Sequence, residues 1–159
     1  MARREKRTPW FHDFRKRLRF EAAAREAFPE AIRPKKLGKG WRSQIHYEFT
    51  VEVPEYGHRR TLTIRLTNGS KPALLGVEVD GPTESPHRRG VRGLCLWRYD
   101  SSPEDHWTPS EGLLALIQYC RIHLFQEAYW RETGGHDGDG IWPGDEAPHD
   151  DAKEDDLAA

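Results

Sequence analysis

The chain has 159 residues, enough for one domain with tails, and its 36% hydrophobic against 32% charged residues leaves part of it as solvated arm. Its 25 Lys and Arg nearly balance its 26 Asp and Glu, but the bases crowd into residues 1–42 and the acids into 134–159, where Lys153 is the lone Lys or Arg. No run approaches the roughly 20 apolar residues of a membrane span, no secretory leader follows the basic start, and two cysteines make no disulfide framework, so a reduced, cytoplasmic protein is expected.

Residues 1–7 read as a basic, flexible arm. Thr8-Pro9 then reads as an N-cap with proline at the first helical position. Trp10, Phe11, Phe14, Leu18, Ala22 and Arg25 follow at helical spacing, with Arg15, Lys16, Arg19 and Glu26 on the opposite face, and Pro29 and Pro34 close the helix. A basic loop over 33–40 leads into alternation: Trp41, Ile45, Tyr47, Phe49, Val51 and Val53 against Arg42, Gln44, His46, Glu48, Thr50 and Glu52. Period two at this length predicts a half-buried strand. Leu62, Ile64 and Leu66 predict a second strand, the Asn68-Gly69 dipeptide a turn, and Leu75, Val77 and Val79 a third strand. Short connections favour an antiparallel meander.

Residues 80–92 lack periodicity and read as loop, 91–97 is a short apolar run containing Cys95, and 98–107 is loop again. Thr108-Pro109-Ser110-Glu111 is a capping box. Leu113, Ile117, Cys120, Leu124 and Ala128 recur on one stripe, predicting a helix to about Glu132 that Gly134-Gly135 ends. The expected fold is α+β, a helix, a meander, an irregular segment and a long helix, with helices on one face of the sheet. The expected divisions are the arm 1–7, a domain over 8–133 and an acidic Gly/Asp-rich tail over 134–159, in which Ile141-Trp142-Pro143 is an apolar island.

Cys120, on the apolar stripe, reads as a small core residue. Cys95 admits two readings. Flanked by Leu94 and Leu96 it suits burial. Gly93, however, permits close approach of another backbone, and His87, Arg88, Arg89 and Arg92 stand just upstream. Positive charge of that kind lowers a thiol from its reference pKa of about 8.5, and a thiolate is a nucleophile that needs no metal.

The order of these motifs resembles the ubiquitin-conjugating (UBC) enzyme family. Gly93-Leu94-Cys95-Leu96 is similar to its active-site block, Trp107-Thr108-Pro109 to its Trp-x-Pro, and the following helix to its long helix, over roughly residues 8–132. Pro86-His87-Arg88 stands where the family has His-Pro-Asn, in a different order and without the asparagine. The ending Trp142-Pro143-Gly144-Asp145-Glu146-Ala147-Pro148-His149 resembles stand-alone bacterial relatives encoded in antiviral operons of the cyclic-oligonucleotide signalling type (CBASS). The resemblance implies a UBC-like fold and a transferase that carries a protein's C-terminal glycine as a thioester on Cys95 and passes it to an amine.

The carried protein would be a cGAS-like nucleotidyltransferase or a bacterial ubiquitin-like modifier. His87 is the implied oxyanion donor, and Asp100, Glu104 and Asp105 are placed to orient the amine. Trp107 and His149 are placed at the substrate, although Trp107 also suits packing beneath the loop. No cofactor is expected. Without an ATP-binding Gly-rich loop, activation would fall to a separate chain.

Three other readings stand beside it. A catalytically inactive, purely binding UBC-like module would follow from the missing asparagine. A metal site in the tail has His136, Asp137, Asp139, Asp145, Glu146 and His149 for ligands, but their spacing fits no tight motif, and a solvated acidic tail is the simpler expectation. The basic start attracts phosphate without any groove-reading motif, so no nucleic-acid partner is expected, nor a membrane. His12, His46, His58, His106 and His123 suggest no pairing and read mostly as surface or strand-face residues.

Overall fold

A computed structural model of the chain describes residues 9–29, 34–68, 74–97, 104 and 106–144. In chain order it holds helix α1 (Phe14–Ala27), strands β1 (Lys35–Leu37), β2 (Gln44–Glu52), β3 (Arg59–Thr67), β4 (Leu74–Val79), β5 (Arg88–Arg89) and β6 (Gly93–Leu94), and helix α2 (Gly112–Glu132). The architecture is α+β, with one six-stranded antiparallel sheet in the order β1-β2-β3-β4-β6-β5.

The alternation read in the sequence forms the centre of the sheet. Ile45, Tyr47, Phe49 and Val51 of β2 and Leu62, Ile64 and Leu66 of β3 are buried on one face, while Glu48, Thr50 and Glu52 stand exposed on the other. Each buried aliphatic or aromatic side chain contributes about 1.5–3 kcal/mol. Between Arg65 and Leu66 the β3–β4 ladder slips by one residue, Arg65 facing Gly76 and Leu66 facing Leu74, as in a bulge. On the open face Arg65 and Glu78 pair through two bonds of 3.0 Å.

Both helices cover the buried face. Leu113, Leu116, Ile117, Cys120 and Leu124 of α2 join the strands in one continuous core. Thr108 and Glu111 form the expected capping box ahead of α2, and the C-cap region turns through Gly134 (φ 131°) and Gly135 (φ 57°). From α1, Phe20 meets Tyr47 and Trp107 at 6.1 Å between ring centroids. Buried Glu21 accepts a 2.8 Å bond from the Tyr47 hydroxyl and pairs with Arg25 at 2.6 Å. Burial, then the Glu21 carboxylate, pushes the Tyr47 phenol up.

Four expectations are corrected. The cap of α1 is Asp13, whose carboxylate accepts from the N–H groups of Arg15 and Lys16. Residues 10–12 form a separate 3-10 turn (Trp10–His12), tied by the Trp10 N–H to Asn68 Oδ1 at 3.1 Å. The break at Asp13 shifts the helical phase, so Phe14 and Leu18 are exposed and Phe20, Glu21 and Ala24 face the core. Trp41 lies in a 3-10 turn (Gly40–Arg42) ahead of β2, not in the strand. The presumed loops over 33–40 and 80–92 contain β1 and β5, and the sheet has six strands rather than three, a meander from β1 to β4 followed by β6 and then β5. Thr8, Gly69, the arm 1–7 and residues 145–159 lie outside the described residues.

Candidate active site

Cys95 follows a hairpin at the end of the sheet. β5 and β6 are joined through Gly90 (φ 62°), with Arg88 opposite Leu94 and Arg89 opposite Gly93. The Cys95 N–H donates to the His87 carbonyl at 3.4 Å and continues this ladder by one pair. Directly opposed residues of an antiparallel ladder share a face with Cβ atoms about 5 Å apart. The hairpin therefore brings His87 and Cys95, eight positions apart in sequence, into register as neighbours. Gly93 makes the close approach possible: a Cβ there would lie 2.5 Å from the Arg89 carbonyl oxygen.

The hairpin is attached in two directions. On the sheet side Gly93 pairs with Glu78, and the Val79 N–H donates to the Arg92 carbonyl at 3.0 Å. On the helix side Arg88 reaches Glu127 of α2, Nε to Oε1 at 2.6 Å and Nη2 to Oε2 at 2.7 Å. Glu127 also pairs with His123 Nε2 at 3.2 Å and lies 3.6 Å from the Arg131 guanidinium. Burial alone would push the Glu127 carboxyl up, but the hydrogen bonds and charges of His123 and Arg88 outweigh it and hold the carboxyl at about 2. The Arg88 charge is thus committed to Glu127. Arg89 spans from β5 to the Trp97 carbonyl, 3.4 Å away and beyond the cysteine.

The two thiols differ in setting. Cys120 is fully buried within the apolar core, and burial pushes its thiol up. Cys95 is 5% exposed and is not part of that continuous core, although Leu94 and Trp97 on either side of it are. Neither forms a disulfide. His87 is buried too, at 3% exposure, with its ring edge-on to Trp142 at 4.5 Å. Downstream, Trp97 stacks on His106 and meets Tyr119 edge-on.

Of the other candidates, Trp107 is a core residue: its ring packs on Phe20 and its indole N–H donates to the Gly112 carbonyl at 2.9 Å. That packing joins α1 to the start of α2. Glu104 is exposed, and Asp100, Asp105 and His149 lie outside the described residues. Among the described residues, no group of three or more His, Cys, Asp and Glu side chains is placed to hold a metal ion.

His123 corrects an expectation: it is buried and paired with Glu127 rather than lying on the surface. The sequence reading missed the Arg88–Glu127–His123 cluster, yet a signal exists. Glu127 falls beside Leu124 and Ala128 on the apolar stripe of α2, and a carboxylate on such a stripe implies a buried partner.

Comparison with known proteins finds no matching family model, no matching curated protein and no matching solved structure. Among the described residues no helix is long and apolar enough to cross a membrane. The functional reading therefore stands on the motifs and the geometry around Cys95.

Proposed function

We propose that this chain is a cysteine-dependent, ubiquitin-conjugating-like transferase with a UBC-like fold. The observation that carries the proposal is the opposition of His87 and Cys95 across the β5–β6 hairpin, in a chain where a capping box and a long helix follow the cysteine. The Cys95 thiolate attacks the activated carbonyl of a protein's C-terminal glycine, the activating group leaves, and a thioester remains. An amine then attacks that carbonyl, the thiolate departs with its electron pair, and the proton the amine loses passes to a carboxylate of Asp100 or Asp105 as the amide forms. Acyl activation is conserved, so the enzyme's work is positioning and steadying the tetrahedral oxyanion.

The His87 imidazole supplies a hydrogen-bond donor to that oxyanion in place of the family's asparagine. Asp100 and Asp105 orient the amine, and His149 contributes at the substrate. The activating enzyme is a separate chain, and the carried protein is a cGAS-like nucleotidyltransferase of a bacterial antiviral operon. A bacterial ubiquitin-like modifier would use the same chemistry.

A small protein ending in glycine as its mercaptoethanesulfonate thioester replaces the activating enzyme in the test. Transfer to the wild-type chain yields an adduct released by dithiothreitol. Cys95→Ala lacks it and Cys120→Ala retains it. An adduct that survives Cys95→Ala, or none on the wild type, sinks the transferase reading.

The burial of Cys95 and His87 favours a second reading, an inactive UBC-like binding module. Brief alkylation of the folded protein separates the two. Labelling of Cys95 well ahead of Cys120 supports the enzyme, and equal inertness supports the module.

A further inference from the structure

After α2 the chain reverses and lies back along the helix it has just left. Two hydrogen bonds hold the returning segment. The Ile141 N–H donates to Thr133 Oγ1 at 2.8 Å, and Gln126 Nε2 donates to the Pro143 carbonyl at 2.8 Å. Between them the Trp142 ring meets two imidazoles edge-on, His87 at 4.5 Å and His123 at 5.2 Å. Residues 140–143 have no regular secondary structure, and Ile141 is exposed.

We infer that residues 141–144 form a strap that closes the His87 side of the Cys95 hairpin and lifts to admit a substrate's C-terminal tail. The inference rests on the transferase reading for what the opening serves, but not for whether it occurs. His87 is the residue directly opposite Cys95, and the Trp142 ring covers it. The closed strap therefore covers the imidazole neighbour of the nucleophile candidate.

The hold is also weak by construction. The Trp142 Nε1–H is buried with no hydrogen-bond acceptor among the described residues. A buried donor without an acceptor penalises the docked state, whereas in the lifted state water satisfies it. The lack of a strand ladder and the unsatisfied donor mark a segment that opens before the whole domain does.

The test is alkylation kinetics of the full-length chain with iodoacetamide, read separately at each cysteine by mass spectrometry. Trp142→Ala removes the cover, and Gln126→Ala loosens the strap while leaving the rings alone. Cys95 labelling is expected to rise about tenfold in the first and about fivefold in the second, the population shift that loss of one or two such contacts produces. Cys120, sealed in the core, is expected to stay unlabelled.

Cys95 rates equal to wild type in both variants would overturn the strap. So would a parallel rise at Cys120, which would mean global loosening. Faster Cys95 labelling with no thioester formed would leave the strap standing and remove the transferase. Thioester formation with unchanged labelling would do the reverse.

Discussion

Arg88 and Glu127 face each other across the gap between β5 and α2 as a two-point pair, with 5% and 0% of their side chains exposed. Neither charge has much water, so each depends on the other. Glu127→Ala leaves the Arg88 charge buried without its counter-charge and is expected to cost about 3–5 kcal/mol. The double variant Arg88→Met, Glu127→Leu removes both charges at similar volume and is expected to recover most of that loss. Urea unfolding of the two variants checks this. A double variant as unstable as the single one would mean that the ion pair holds the fold through more than charge compensation.

The same carboxylate sets an acid limit. Glu127 is held at about 2 in the folded chain, against an unfolded value of about 4.3. Above the unfolded value its contribution is fully present; as pH falls from there through the folded value, the unfolded chain takes up the proton first and the contribution is lost. The urea midpoint of the wild type should fall over that window, and Glu127→Gln should show a shallower decline there. Equal slopes for the two proteins would contradict the assignment.

Gly93 is the narrow point of the hairpin. The added Cβ of Gly93→Ala would meet the Arg89 carbonyl oxygen at 2.5 Å, a backbone contact that cannot rotate away. The strands must part, which is expected to cost about 1–3 kcal/mol and to loosen the His87–Cys95 register. Amide hydrogen exchange at Leu94 and Cys95 should accelerate while that of β2 and β3 stays slow. Unaltered exchange at Cys95 would show that the close approach is dispensable.

Asp13→Ala removes the acceptor for the Arg15 and Lys16 N–H groups and should cost about 1 kcal/mol, measured as a lower thermal midpoint. Asp13→Asn and Asp13→Ser should keep most of it. If Thr8 were the working cap instead, Asp13→Ala would change nothing.

The parts of the fold that the sequence reveals are those with a long enough repeat. Ile45 to Val53 and Leu62 to Leu66 alternate over enough residues to exclude a helix, and the Thr108–Glu111 box marks where α2 is about to begin. Strands of two or three residues, such as β1, β5 and β6, hold too few side chains to show any period and are defined only by their neighbours. α1 misleads because Thr8-Pro9 and Asp13 both have the chemistry of a helix start, and choosing between them sets which side chains face inward.

At the site, Gly93 and Cys95 stand out by residue type alone. The pairing of Cys95 with His87 follows only once the hairpin register is known. Glu127 and His123 stay hidden because charge is ordinarily read as exposure, and their burial is made possible by Arg88, 39 positions from Glu127 in sequence.

The sheet has two outer borders, and both are brief and cationic. One is β1, which offers Lys35 and Lys36 in three residues; the other is β5, which consists of Arg88 and Arg89. A strand from another molecule approaching β1 or β5 would find only a few amide groups to bond, and at β1 the like charges of Lys35 and Lys36 if it came from a second copy. β1 caps the outer edge of β2 only over Gln44–His46, so the guard it gives is local, and Tyr47–Glu52 is the stretch where an incoming strand would meet backbone with no strand partner among the described residues.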